Sequence, residues 1–385
     1  MNYPVVHVLY VIDSLAAGGA ETSLAGLARP LVARGVRLDV AYLHERPGVG
    51  DDLRAAGAEV LSLGGGTGRR DWARSAVALV GRRRPDVVHT TLFEADVAGR
   101  LAGRRHRVPI VSTLANVAYG PEQMTNPDLR AWKVRGAQAI DLLTARWVER
   151  FHAISSHVAA TMARRLLIPR TRIEVVPRGR DPERLGRRTP ARRAAARAGL
   201  GLAEGDLAVL AAARQEHQKG LDVLVEAWPA VQAAVPRARL LVAGRVGNQT
   251  PALVAARHRL GLGDEVRFLG ARSDVAELLC AADAFVLPSR WEGLGSVLLE
   301  AMALEAPMVV SDLPSVREVV GGPDAACLVP PGDAAALASS IGAALGDPTG
   351  CRRRAGEGRR RFLERFTIDE VAAAMVRLYE RAAGR

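Results

Sequence analysis

Apolar and polar positions along this chain fall into two patterns that keep taking turns. Short unbroken apolar runs alternate with longer stretches in which apolar residues return every three to four positions. The runs suit strands buried on both faces, and the wider spacing suits helices laid over a sheet. Strands are predicted at residues 5–12, 38–43, 59–63, 86–90 and 109–114, with helices at 22–33, from Asp51, and at 72–83 and 95–104 between them. Residues 119–128 form a polar loop, and 129–149 a long helix carrying Trp132 and Trp147. Strand 151–154, the N-cap pair Ser155–Ser156, helix 157–167 and strand 173–177 close a first set. A second set has strands at 207–213, 240–243, 284–287, 307–310 and 327–330, with residues 266–269 and 275–279 in the segment around Gly270 and Arg272. Its helices are 221–234, 296–304 and 334–345, and helices 352–365 and 368–381 follow. Alternation of this kind builds parallel sheets with right-handed crossovers.

Between the two sets, residues 178–200 are rich in Arg, Gly, Pro and Ala and carry no strand pattern, so the domain boundary is placed there. The expected organisation is α/β: a Rossmann-like domain over 1–180, completed by 367–385, and a second over 201–366. A chain of 385 residues with 49% apolar content has the length and the core material for both. No apolar run reaches the length of a membrane span. The first residues read as a strand and not as a signal peptide. Cys280, Cys327 and Cys351 lack metal spacing, so a cytoplasmic protein without a disulfide framework is expected.

Charge is uneven. The net is +12, but residues 1–200 hold 32 Lys and Arg against 18 Asp and Glu, whereas 201–350 hold 11 against 18. A basic first half fits an acidic acceptor, an anionic membrane face or nucleic acid. Only Lys133 and Lys219 are lysines, however, and Arg- and Ala-rich composition is a sufficient explanation of the excess. Nucleic-acid recognition would also want interleaved aromatic and basic residues, and with six Phe and five Tyr in no such pattern no nucleic-acid partner is expected. The helix with Trp132, Arg130, Lys133 and Arg135 has the makings of a peripheral contact with an anionic membrane, though a packed face is the preferred reading. The arginines from Arg187 onward read as a solvated helical face.

The candidate chemistry gathers at strand ends. Glu292 and Glu300 flank the start of a helix after strand 284–287, at the carboxyl end where open α/β sheets bind ligands. Eight residues on one helix span about 12 Å, too far for the roughly 5 Å carboxyl pair of a retaining glycosidase. Glu292 is expected to hook over the helix N-terminus from the turn. Beside an anion held on the helix amides, such carboxylates would accept hydrogen bonds from sugar and ribose hydroxyls; otherwise they are a capping Glu and a solvated one. Arg214 and Lys219 stand at a strand end and a helix start, able to point at one anion together. Gly18 and Gly19 between strand and helix let backbone approach a ligand. His89 ends its strand and Asn116 follows another, both on the same expected side. No D-x-D stands at a strand end, so no metal and no other cofactor is expected.

Glu292–Gly293–Leu294–Gly295 and, after four residues, Glu300–Ala301–Met302–Ala303 resemble the E-x7-E signature of retaining GT-B glycosyltransferases of family 4. Arg214 through Lys219–Gly220 is similar to that family's R-x4-K-G phosphate motif, and Gly18–Gly19–Ala20–Glu21 to its GGaE loop, which faces the donor diphosphate across the cleft. The resemblance implies a GT-B fold, with two Rossmann-like domains facing across a cleft and the last helix crossing back to the first domain. It places Glu292 on the transferred sugar and Glu300 on the nucleotide ribose. Arg214, Lys219 and the turn of Gly293, Gly295, Ser296 and Val297 then hold the diphosphate, and the loop with Arg272 reads the base. The implied activity is metal-independent retaining transfer of a hexosyl group from a nucleotide-diphospho-sugar to a glycan, glycolipid or small-molecule acceptor. An epimerase or hydrolase using the same donor is the alternative. Two departures stand out: Ala115–Asn116 replaces a histidine common in the family, which leaves His89 and Asn116 as acceptor-cleft candidates, and Glu305 stands where the family usually has Gly.

Overall fold

The computed structural model describes residues 6–16, 18–64, 68–126 and 128–385. Val5 of the expected first strand, Ala17 of the glycine loop and Pro127 of the polar loop lie outside them. The chain divides into two compact units: Met1–Met124, Leu129–Asp181 and Phe366–Arg385 make the first, and Thr125–Asp128 with Pro182–Arg365 the second.

The first unit is built on seven parallel strands: β1 His7–Ser14, β2 Arg37–His44, β3 Glu59–Ser62, β4 Val87–Thr91, β5 Ile110–Leu114, β6 Arg150–Ala153 and β7 Ile173–Val175. Their order is β3-β2-β1-β4-β5-β6-β7. Alternate residues of β1 face opposite ways, and each face has its own core. Val8, Tyr10 and Ile12 pack with Leu24, Leu27 and Leu31 of helix Gly19–Ala33, and with Val371, Met375, Leu378 and Tyr379 of helix Ile368–Ala382. Leu9 and Val11 face Leu79, Val80, Ala95, Ala98 and Ala102 on the other side. Helix Ile368–Ala382 therefore belongs to the core of the first unit, although nearly two hundred residues separate it from β7.

The second unit has six parallel strands: β8 Leu207–Ala212, β9 Ala238–Ala243, β10 Val266–Gly270, β11 Ala284–Leu287, β12 Met308–Ser311 and β13 Cys327–Val329. Their order is β10-β9-β8-β11-β12-β13. Val209, Ala211, Leu240, Val242 and Val286 pack against Leu224, Trp228 and Val231 of helix Leu221–Ala234. In both sheets the strand order reverses beside the first strand, so β1 meets β4 and β8 meets β11. Such a switch point leaves a crevice outside the strand ends that no crossover covers.

Several local expectations need correcting. The long helix at 129–149 is shorter, Ala131–Ala145, and a single turn Pro121–Met124 interrupts the loop before it. The boundary segment contains helix Pro190–Gly199, and helices Thr250–Arg259 and Pro314–Val320 had no predicted counterpart. Nor do Arg188, Arg192, Arg193 and Arg197 form a solvated face, although Arg187 is exposed. Arg192 pairs with Glu277, and Arg193 and Arg197 pair with Asp283. Arg188, Arg193 and Arg197 also donate to the carbonyls of Cys280, Ala281 and Ala282. Those carbonyls end helix Val275–Ala281, where no backbone donor remains for them. Three guanidiniums thus cap one helix terminus, matching its negative end with positive charge.

Candidate functional site

At the switch point of the second unit, the segments after β8 and β11 lie against each other. Gly220 makes this approach possible. Its φ is +62°, in the left-handed region, and a Cβ there would stand 2.0 Å from the Pro288 carbonyl oxygen. No residue with a side chain fits. The segments are then laced by polar contacts. The Arg290 amide donates to the Gln218 carbonyl at 2.8 Å, and the Gln218 side-chain amide to the Trp291 carbonyl at 2.8 Å. Arg290 makes a bidentate pair with Asp222 at 2.7 and 2.6 Å. The outcome is that Lys219 Nζ lies 2.6 Å from Glu292 Oε1. The same oxygen accepts from Ser289 Oγ at 2.8 Å, and Ser315 Oγ donates to the Glu292 carbonyl at 2.8 Å, fixing the turn.

Glu292 is only 5% exposed and does not hook over the following helix; its carboxylate turns to Lys219 and Ser289 instead. The physical reason is burial, because a carboxylate removed from water needs a cation more than it needs one amide. Arg214, at the head of the loop that ends in Lys219, is exposed and has no ion pair among the described residues. One cation of the expected pair is therefore engaged and the other is open to solvent. Gly293 and Gly295 are buried in the turn, Gly295 at φ +78°. Ser296 is the N-cap of the seven-residue helix Val297–Ala303, and half-buried Glu300 lies in its first turn. Arg272 pairs with Asp274 at 2.5 Å on the surface after β10, so its guanidinium is already committed.

The switch point of the first unit has a counterpart that sequence reasoning missed. Asp13, near the end of β1, accepts a hydrogen bond at 2.7 Å from the Ala95 amide, at the start of helix Phe93–His106 after β4. Burial pushes its pKa up to about 7, against the hydrogen bond from Ala95, with Asp96, Glu94 and Glu21 adding to the rise. A carboxyl that titrates near neutrality can exchange a proton with a hydroxyl. The available signal was a lone acid closing an otherwise apolar strand. Leu92, between β4 and that helix, holds φ +78° and ψ 156°, a region that side chains avoid. Gly18 is the N-cap of helix Gly19–Ala33, and a Cβ on it would lie 2.6 Å from Glu21 Oε2, so the Glu21 carboxylate folds back over this loop.

Of the two acceptor-side candidates, Asn116 follows β5 as expected, and His89 is placed differently. His89 does not end its strand. It sits mid-β4, 1% exposed, with Nδ1 at 2.8 Å from the Tyr379 hydroxyl and Nε2 at 2.7 Å from Thr113 Oγ1. Thr113 Oγ1 is 3.1 Å from His152 Nδ1, and His152 Nε2 is 2.8 Å from the Val176 carbonyl. Burial holds the pKa of His89 well below the imidazole range and that of His152 at about 4. Both rings are thus neutral, and the chain has one consistent direction, Tyr379 donating to His89 and His152 to Val176. Both His89 nitrogens are used inside the core, so it has none to offer an acceptor. Asn116 is half-buried, and its Oδ1 accepts the Val117 amide at 2.9 Å, a local turn contact. Among the described residues no three His, Cys, Asp or Glu side chains are grouped so as to hold a metal ion.

A family described as Glycosyltransferase Family 4 matches residues 17–184, and one described as Glycosyl transferases group 1 matches residues 206–347. D-inositol 3-phosphate glycosyltransferase of Xylanimonas cellulosilytica is 32% identical, over 99% of this chain and 92% of its own. Lipopolysaccharide core biosynthesis mannosyltransferase LpsB of Rhizobium meliloti is 29% identical, over 54% of this chain and 60% of its own. Among solved structures, Anabaena Alr3699/HepE in complex with UDP and glucose superposes with a TM-score of 0.85 at 21% identity, covering 98% of this chain and all of that one. WaaG, a glycosyltransferase involved in lipopolysaccharide biosynthesis, gives a TM-score of 0.77 at 18% identity over 98% of this chain and 100% of its own. The fold is that of these GT-B proteins, two Rossmann-like units of parallel strands and helices.

Proposed function

The chain belongs to glycosyltransferase family 4, the group 1 glycosyl transferases, and from that premise we propose that it moves a hexosyl group from a nucleotide-diphospho-sugar to a glycan, lipid-linked or small-molecule acceptor. Transfer proceeds with retention at the anomeric carbon and without a metal ion. The observation that carries this reading is the Lys219–Glu292 pair at 2.6 Å across the switch point of the second unit. An ammonium held there beside a solvent-open Arg214 gives a leaving diphosphate two cations, and no divalent ion is required of the protein. Glu292 accepts from the sugar hydroxyls, and Glu300 from the ribose. The acceptor oxygen bonds to the anomeric carbon on the face from which the phosphate oxygen departs, and that oxygen takes the acceptor proton. Relatives named for inositol-phosphate, lipopolysaccharide-core and phosphatidyl-inositol acceptors support an acceptor that is a polyol, a glycan or a glycolipid.

The test is a thermal-shift panel of UDP, GDP, ADP and dTDP in EDTA, run on the native protein and on Arg214→Ala and Lys219→Ala. Saturation at about 100 times Kd adds about 2.7 kcal/mol of stability. One nucleotide should raise the melting temperature, and both variants should lose most of that rise. Lys219→Ala also strands the buried Glu292 carboxylate and lowers the ligand-free melting temperature, whereas Arg214→Ala, which breaks no ion pair, leaves it unchanged. A flat response to all four nucleotides would remove the donor assignment.

A further inference from the structure

Helix Ala131–Ala145 departs from an ordinary surface helix in what it buries and what it exposes. Such a helix buries its apolar stripe and wets its polar side. Here the polar residues Asp141 and Thr144 point inward, Asp141 only 7% exposed, to hold the guanidinium of Arg100 at 2.5 and 3.0 Å. Val134 and Ala145 are buried with them, but the largest apolar residues point outward: Trp132 is 67% exposed and Leu143 55%, with Ile140 and, just past the helix end, Trp147 also exposed. At 100° per residue Trp132, Ile140 and Leu143 fall within about 80° of one another. Lys133 and Arg135 lie on either side of that stripe, and Lys133 Nζ stands 5.6 Å from the Trp132 ring. The preferred sequence reading, a packed aromatic face, is therefore overturned for Trp132.

We propose that this outer face of helix Ala131–Ala145 is a docking surface for an anionic lipid bilayer. The stripe is too apolar to be indifferent to contact. Its geometry, an aromatic and aliphatic ridge between two cations with long stems, is what lets a helix lie in the headgroup plane while the ammonium and guanidinium reach the phosphates. Charge identifies the occupant. Many arginines of this chain have carboxylate partners, yet among the described residues Arg130, Lys133, Arg135 and Arg146 have none. A second copy of the chain docked by a two-fold axis would set these cations against their own images, which disfavours it. The surface is independent of the donor site, and it brings the enzyme to lipid-linked acceptors in the plane of a membrane.

The experiment is sedimentation of the full chain with phosphatidylcholine vesicles and with vesicles containing 30% phosphatidylglycerol, alongside Trp132→Ser/Leu143→Ser and Lys133→Glu/Arg135→Glu. These side chains are exposed, and an unchanged melting temperature confirms that each variant folds. Binding to the anionic vesicles, weakened at least tenfold by either double variant and by raised salt, is the expected result. Equal binding to both vesicle types, binding that neither variant alters, or no binding at low ionic strength overturns the proposal. A concentration-dependent dimer abolished by Trp132→Ser/Leu143→Ser, without vesicle binding, would assign the surface to self-association instead.

Discussion

Glu305 ends helix Val297–Ala303 with φ +53°, a conformation that costs an L-residue about 1–2 kcal/mol and a glycine little. Its carboxylate lies 3.4 Å from Arg359 Nε, but that pair is half-exposed and returns only a fraction of the cost. Glu305→Gly should therefore raise stability by about 0.5–1 kcal/mol, read as a higher denaturant midpoint at unchanged slope; a lower midpoint would mean that the ion pair outweighs the backbone. Asp13 makes a pH-dependent case. Its folded pKa of about 7 exceeds the unfolded value, so the native state holds the extra proton between the two. The stability it lends is whole below about pH 4 and is lost as pH rises through 7. Asp13→Asn keeps an oxygen for the Ala95 amide and sheds the buried charge. It should add on the order of 1–2 kcal/mol at pH 8 and nothing near pH 4, because the group is only partly buried. A gain of equal size at both pH values would show that the charge is irrelevant.

At the scale of elements, the capped terminus of helix Val275–Ala281 makes the boundary segment part of the second unit's structure. Arg193→Ala removes donors from the Cys280, Ala281 and Ala282 carbonyls and a partner from Asp283. A loss of about 1–3 kcal/mol in chemical denaturation is expected; a change within error would mean that Arg188 and Arg197 suffice. This element also marks what sequence could and could not say. Strands such as β1 and β11 were legible because a central parallel strand is apolar throughout. Helix Pro190–Gly199 was not, since it buries no residue of its own and binds through arginines whose partners lie more than eighty positions away. Lys219 and Glu292 could each be singled out in the sequence as candidates, but their union depends on Gly220 letting two distant loops touch. The periodicity of helix Ala131–Ala145 was visible too. Which side faced inward was not, because that was decided by the buried Arg100, on a different helix.

At the scale of the molecule, helix Ile368–Ala382 is a structural member of a unit made mostly from residues before Asp181. Its Val371, Met375, Leu378 and Tyr379 are buried, and each such side chain is worth about 1.5–3 kcal/mol. Their sum approaches the whole stability of a domain. A chain stopped at Arg365 should lose the folded first unit, seen as rapid proteolysis between β1 and β7 while 182–365 resists; equal resistance throughout would show that the helix is dispensable. There is a consequence for biosynthesis. A ribosome makes the strands of the first unit early, yet cannot supply the helix that closes them until all of Pro182–Arg365 has been translated. The unit begun first is therefore finished last. Through that interval its half-covered sheet is the part of the nascent chain most in need of a chaperone, and a synonymous codon change that slowed translation ahead of Ile368 would prolong that exposure without altering a single residue.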